Sequence, residues 1–565
     1  MKHQYESEIL FHLMERDGFN IPSSVPPYEA EIKAYLINQV KLAYPKLTDY
    51  EAEWLLYNYT KHLPADFPIS SATNVTKATF ENVVPFAFQS AILKGKTLVN
   101  NIKRITATGG YTTIHNNGIG FTIDTNGQTL TSKITFSLSC INKITEGAKY
   151  TVIVDVAENT ITRDNTSQMV LKIVLNNYDK VDSGFVKINI GETGLKVFEV
   201  IVPTSNTNIP YIETPKDIKG RLIVNGISII EGHNHNLTGY IEDMQSVKMP
   251  VLTTKGKNLF NPNAEFNITD GIYGFIKLTN NKHNSIFVVE KDKTVDLSKI
   301  YFGLSGNGKN TDSGHKWLHQ NGVLATDKIV DSEYGYFSFF PNNKTTLNKI
   351  LQRYDIQFEE SVTTTSYESY KSNSLTVNEE VELRGIGEVQ DTLDCLTGEI
   401  TQRIGVDVLD GNSTFSSVTT QQNGIRVQYN NANKKSGTNI PVISNKFNFV
   451  SYSNTNIPFT VFCGNNSDIY FMLPLNSNVT SVADAKKWFN ENNTIIQYPL
   501  ATESVKTVEL KTVNESGESV HFMPLEGTMH VQSSGEPIQP TFDMSVPVEA
   551  TTQNLASFID LEMEE

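Results

Sequence analysis

The stretch Lys94-Gly95-Lys96-Thr97-Leu98-Val99-Asn100 returns as Lys255-Gly256-Lys257-Asn258-Leu259-Phe260-Asn261, 161 residues later (255 − 94). Each copy opens a block of alternating sequence rich in Asn and Thr. The first block closes on Ile227-Ser228-Ile229 and the second on Ile356-Gln357-Phe358, while a third block ends with Ile496-Gln497-Tyr498. An internal repeat decides architecture, so the chain reads as an array of similar units, and arrays present surfaces more often than chemistry.

Working outward from the repeat, the hydrophobic period past Lys94 is two. Lys149–Val156, Val170–Leu175, Val197–Val202, Ile286–Val289 and Tyr334–Phe340 are the clearest strand candidates. Gly109-Gly110, Asn117-Gly118 and Asn126-Gly127 supply turns, because Gly and Asn tolerate positive φ. Many short strands at this spacing predict tandem antiparallel β-sandwich or jelly-roll modules rather than a parallel sheet. Before Lys94 the period is helical. Ile9, Leu10, Leu13 and Met14 share one face, Ile32, Leu36 and Val40 another, and Thr48 to Glu51 reads as a capping box ahead of Trp54. A further helix is expected from about Thr76 to Leu93. The expected organisation is a helical attachment domain (1–93), two matched β modules (94–250 and 251–374) and a connector hairpin (375–403). A divergent β module with one helix (404–510) and C-terminal strands with an acidic tail (511–565) complete it. The helix of the divergent module is capped by Ser481 to Asp484 and anchored by Trp488 and Phe489.

The totals narrow the function classes. The 565 residues carry a net charge of −15, which argues against nucleic acid as a partner. Charged residues make up only 19%, so polarity comes from Asn, Thr and Ser, while 10% aromatic residues argue against disorder. Cys140, Cys395 and Cys463 lie far apart and form no metal or redox spacing. Cys140 ends the inward series Ile134, Phe136, Leu138 and is expected to act as a small buried hydrophobe. The N-terminus lacks the apolar core of a signal peptide, and no run is long enough to span a membrane.

Few motifs carry chemistry. His233 and His235 could offer two imidazoles to a metal, but no third or fourth ligand is evident, and a solvated turn explains them as well. Asp312, His315, Trp317 and His319 cluster between strands of the second block. There Trp317 either fills its module's core or stacks on the apolar face of a sugar whose hydroxyls bond to Asp312 and His315. Asp124-Thr125-Asn126 and Asp331-Ser332-Glu333 could ligate a structural calcium, or simply form surface turns. No nucleophile elbow, zinc-protease, phosphate-loop or dinucleotide motif occurs, and no cofactor is expected. Scattered carboxylates leave a glycosidase pair open.

Three phrases go further: KGKNLFN (255–261), the run YDIQFEESVTTTSYESYKSNSLTVNEEVELRGIGEVQDTLDCLTGEITQRIG (354–405), and WFNENNTIIQYPLATESVKTVEL (488–510). They resemble tail proteins of phages and prophages of Gram-positive bacteria, namely baseplate upper proteins, tail fibres and minor structural proteins. YPKLTDYEAEWLLYNYTKHLP (44–64) looks like the helical segment that such proteins carry before their β modules. The resemblance implies carbohydrate-binding-like jelly rolls, a homo-oligomer (commonly a trimer), other tail and baseplate proteins as partners, and a cell-wall glycan or teichoic acid as receptor. It places the chain in the virion, with no enzymatic activity and no membrane insertion. The rival readings are a purely structural adaptor, a glycan depolymerase and a cell-surface adhesin.

Overall fold

A computed structural model describes residues 69–548 apart from short internal stretches, the longest being 176–184, 203–209, 306–315 and 360–366. The described chain is mainly β, its ladders almost all antiparallel, with two α-helices, Lys344–Arg353 and Val482–Glu491.

Its centre is a hub assembled from segments that are remote in sequence. One hub sheet runs Ile69–Val75, Thr541–Pro547, Ser90–Lys94, Thr392–Asp394, Glu399–Leu409, Thr494–Thr507 and Ile443–Ser444. The other runs Lys77–Val83, Gly527–Glu536, Met244–Lys255, Ser372–Val377 and Leu510–Asn514. Both contribute inward side chains to a single core that includes Phe80, Leu93, Leu252, Leu375, Ile400, Met529 and Phe542. The first and last described strands lie side by side, with Ile69 opposite Pro547.

Three units interrupt the hub, each across a paired position. Unit 1 leaves after Val99 and returns at Met244, which pair with each other. Unit 2 leaves after Lys255 and returns at Ser372, also a pair. Unit 3 leaves at Leu409 and returns at Thr494, again a pair. The expected linear string of modules is therefore corrected to insertions on a shared hub. Each unit has its own core: in unit 1 between two five-stranded sheets, in unit 2 between a five-stranded and a three-stranded sheet, and in unit 3 between a five-stranded sheet and the end of the first hub sheet, which supplies Leu409, Ile496 and Tyr498.

One polar device recurs at the unit roots. Asn100 is fully buried; its amide donates to the carbonyls of Ile227 (3.0 Å) and Ile241 (2.9 Å), and its oxygen accepts from the N–H groups of Ile102 and Ile229 (both 3.0 Å). Asn258 repeats the pattern, donating to Ile356 (3.0 Å) and Glu368 (2.9 Å) and accepting from Phe260 (3.0 Å) and Phe358 (3.1 Å). Asn445 makes a variant in unit 3, donating to Asn493 and the Asp243 carboxylate and accepting from Ile495. In each case the amide spans a carbonyl and the N–H two residues later at the closing strand; Asn100 and Asn258 thereby staple the start of their unit to its end, whereas Asn445 ties the middle of unit 3 to its end. The structural equivalence is 158 residues (258 − 100), three fewer than the Lys-Gly-Lys repeat suggests. The two glycines of that repeat also differ. A Cβ on Gly95 would lie 2.4 Å from the Arg384 carbonyl, whereas one on Gly256 would meet nothing closer than 3.7 Å.

The helix expected over Thr76–Leu93 is replaced by strands Lys77–Val83 and Ser90–Lys94, with Ile69–Val75 before them. The reason is a bulge. Asn82 sits at φ 54°, and the register shifts between Phe80 and Val83, so an extended strand shows inward residues three apart and mimics a helical period. The remainder of the expected helical domain, residues 1–68 with Trp54, lies outside the described residues, as does the acidic tail from 549. The residues expected to form a connector hairpin contribute hub strands, and within them Gly385–Ile386 pairs with Val389–Gln390. The helix at Ser481 has the expected capping box, with Phe489 fully buried. Cys140 packs at the rim of the unit 1 core, and burial pushes its thiol up to about 12.

Candidate functional site

In unit 2 the five-stranded sheet runs Gly274–Lys277, Tyr336–Phe340, Tyr301–Ser305, Lys316–Gln320 and Val323–Leu324. Alternation divides its residues. Phe302, Leu304, Phe337, Phe339, Ile276 and Leu318 point into the core. Tyr301, Gly303, Ser338, Phe340 and Trp317 take the opposite, outer face, where Gly303 pairs with both Ser338 and Trp317.

Four half-buried aromatic rings on that face close a circuit. Trp317 lies 5.6 Å from Tyr273 and 6.0 Å from Tyr301 by ring centroids, and Phe340 completes it at 5.7 Å from Tyr273 and 6.0 Å from Tyr301. Their mutual angles, from 39° to 70°, hold the rings tilted rather than stacked, so the patch is not flat. Ser338 lies in the same cross-strand row, fully buried like its neighbour Phe275, and its hydroxyl has no hydrogen-bond partner among the described residues. A group of tilted, half-buried rings can take the apolar face of a pyranose while leaving its hydroxyl edge free for hydrogen bonds.

Of the residues anticipated for this site, Trp317 is on the outer face and not in the core. Asp312 and His315 lie outside the described residues. His319, two residues from Trp317, is fully buried, stacked 5.1 Å from Phe302, with Nδ1 3.1 Å from the Ile300 carbonyl. A bulge between Phe302 and Gly303 lets Trp317 and His319 take opposite faces' environments. Tyr273, Tyr301 and Phe340 were missed; the signal was an aromatic at each outward position flanking the Trp, visible only once the strands are paired.

Unit 1 offers a related surface where the edge strands of its two five-stranded sheets, Phe185–Asn189 and Gly194–Ile201, meet. The ring of Phe185 lies under Lys172 (4.5 Å) and Lys187 (4.8 Å). An open hollow of about 400 Å³ runs between Phe185, Lys187, Phe198 and Glu199.

Other chemistry finds little footing. Among the described residues no group of three His, Cys, Asp or Glu could hold a metal, and His233 and His235 lie outside them. Asp124 caps its own turn by accepting from Asn126 N–H at 2.9 Å. In the other turn considered for calcium, Asp331 ends a strand, while Ser332 and Glu333 lie outside the described residues. The fully buried carboxylate Asp391 is held within the hub, accepting from the backbone N–H groups of Arg384, Arg403 and Ile404. Burial raises its pKa against the pull of those amides. Among the described residues no helix is long and apolar enough to cross a membrane.

No protein-family model matches the chain, and no curated protein matches it. Among solved structures, a mycobacterial arabinofuranosyltransferase aligns over 81% of this chain and 36% of its own length, at 8% identity and a TM-score of 0.16. The chain thus spans about a third of that structure, and a score this low carries no argument about fold or activity.

Proposed function

We infer that this chain is a carbohydrate-recognition component of a phage tail baseplate or tail fibre. Its units act as carbohydrate-binding jelly rolls that hold the virion to a bacterial cell-wall glycan. The observation that carries this reading is the outward ring circuit of Tyr273, Tyr301, Trp317 and Phe340. A lone tryptophan serving only its own unit would point inward, with Phe302 and Phe337. The repeated family phrases supply the tail context, and that context brings a homotrimer and neighbouring tail proteins as partners, docked through the N-terminal region. Three units on one hub, multiplied by an oligomer, raise avidity through effective concentration, so each saccharide site can be weak. The net charge of −15 limits nonspecific adhesion to anionic wall polymers and leaves recognition to stacking and local hydrogen bonds.

The test is competition. The full chain should block adsorption of the cognate phage to its host, and Trp317→Ala should weaken that block. A chain that neither binds cells nor competes would mark a structural adaptor, and reducing ends released from purified wall polysaccharide would mark a depolymerase.

A further inference from the structure

The divergent unit 3 carries an outer sheet face of different chemistry. Its five-stranded sheet runs Phe415–Gln421, Gly424–Asn430, Asp468–Leu473, Thr460–Cys463 and Asn448–Phe449. Ile425, Val427, Ile469, Phe471 and Val461 point into the core. Arg426, Gln428, Tyr470 and Phe462 therefore take the outer face. The register puts Ser417, Gln428, Tyr470 and Phe462 in one row across four strands.

That row is organised. The Ser417 hydroxyl donates to Gln428 Oε1 at 2.9 Å. Tyr470 stacks on the buried Phe462 at 5.2 Å and 14°, and Phe462 is met edge-on by Tyr452, which is 49% exposed. The Arg426 guanidinium lies 5.5 Å from the Tyr470 ring centre. Among the described residues Arg426 makes no ion pair and no hydrogen bond, whereas Arg353, Arg384 and Arg403 each reach a carboxylate. A half-buried guanidinium held over a ring, with its forked donors unused, is matched to a carboxylate or phosphate. The aromatic part of the row is Tyr470 with the buried Phe462 one interstrand spacing of roughly 4.8 Å away, and with Tyr452 beside them it gives room for roughly one sugar ring.

We propose that the outer face of this sheet binds an anionic saccharide, with a sugar ring against Tyr470 and Tyr452 and its acidic group on Arg426. The proposal rests on the glycan-binding reading above and adds a charge requirement confined to unit 3. Unit 2 would then read neutral sugar faces and unit 3 acidic ones.

The test is calorimetric titration of the full chain with three oligosaccharide probes: a hexuronic acid oligomer, a hexose phosphate oligomer and a neutral hexose oligomer. At least one acidic probe should bind, less tightly as ionic strength rises. Arg426→Ala should weaken that binding about tenfold or more, with an unchanged unfolding temperature. Arg426→Lys, which keeps the charge but loses the fork, should recover part of it. Trp317→Ala should leave acidic binding intact and weaken the neutral probe. The two acidic probes distinguish a carboxylate from a phosphate source. Acidic binding indifferent to Arg426→Ala, or neutral binding with no acidic binding, overturns this proposal alone. Failure of all three probes overturns it together with the glycan-binding reading.

Discussion

Replacing Asn258 with alanine removes the staple at the root of unit 2 and leaves the surrounding apolar side chains in place. The lost amide made four hydrogen bonds of 2.9–3.1 Å from a side chain only 2% exposed. Two backbone N–H groups, of Phe260 and Phe358, would lose this acceptor, and the carbonyls of Ile356 and Glu368 this donor. At about 1–3 kcal/mol for each buried donor left unsatisfied, the two N–H groups alone cost about 4 kcal/mol. A domain's whole stability is about 5–15 kcal/mol, so unit 2 should open well before the hub. Asn258→Asp should fare no better at neutral pH, since it keeps the acceptor but turns a carboxylate oxygen toward two carbonyls. Native-state hydrogen exchange reads the effect directly, because strands Asn284–Glu290 and Tyr354–Glu359 should lose protection while the hub strand Gly527–Glu536 keeps its own. Asn100→Ala should do the same to unit 1, and the two losses should add, as the staples share no partner. A loss below about 1 kcal/mol in unit 2, or an equal loss of protection in unit 2 and hub, would refute the staple argument.

Further outcomes follow from the junctions and the helix cap. Gly95→Ala should destabilise by about 2 kcal/mol, because its Cβ would strike the Arg384 and Leu383 backbone, which cannot swing aside. Gly256→Ala, with open space around it, should stay within about 0.5 kcal/mol by thermal unfolding. Ser481→Ala should cost about 1 kcal/mol by removing the helix cap. Hydrogen bonds from Ser481 and Thr480 hold the Asp484 carboxyl below its ordinary value of 3.8. Its contribution is therefore present above that value and lost as pH falls through the lower, folded one. Asp484→Asn should flatten that acid dependence of unit 3 unfolding.

The strands of the units were legible because each buries one face against a local core. Val152, Val154 and Val156 share one face in the unit 1 core, with Ile153 between them packed in the hub core, and Phe337 and Phe339 share one face in the unit 2 core. The helix at Ser481 announced itself through its cap. The helix Lys344–Arg353 carried a comparable signal, with Asn343 as cap and Leu347 and Ile350 inward, and was overlooked among the Asn-rich turns. The hub was not legible, because no local pattern states that Ile69–Val75 pairs with Thr541–Pro547 or that Lys77–Val83 pairs with Gly527–Glu536. Such pairings are set by burial across the whole chain. The site was legible in one residue. Trp317 stood out, but the face it takes depends on a bulge, and Tyr273, Tyr301 and Phe340 join it only through cross-strand neighbours. The repeated Lys-Gly-Lys phrase marked the unit junctions but misplaced their equivalence, since the conserved physics lies in the asparagines.

The central claim is that unit 2 meets a saccharide through its outer ring circuit. A pyranose face covering about 80 Å² of the Trp317 ring is worth about 2 kcal/mol, so Trp317→Ala should weaken binding roughly thirtyfold. The direct measurement is hydrogen exchange of the full chain with and without purified host-wall saccharide. Slowed exchange in Tyr301–Ser305, Lys316–Gln320 and Tyr336–Phe340, abolished by Trp317→Ala, is the predicted result. Saccharide binding that leaves these three strands unchanged, or that survives Trp317→Ala at full affinity, would contradict the account.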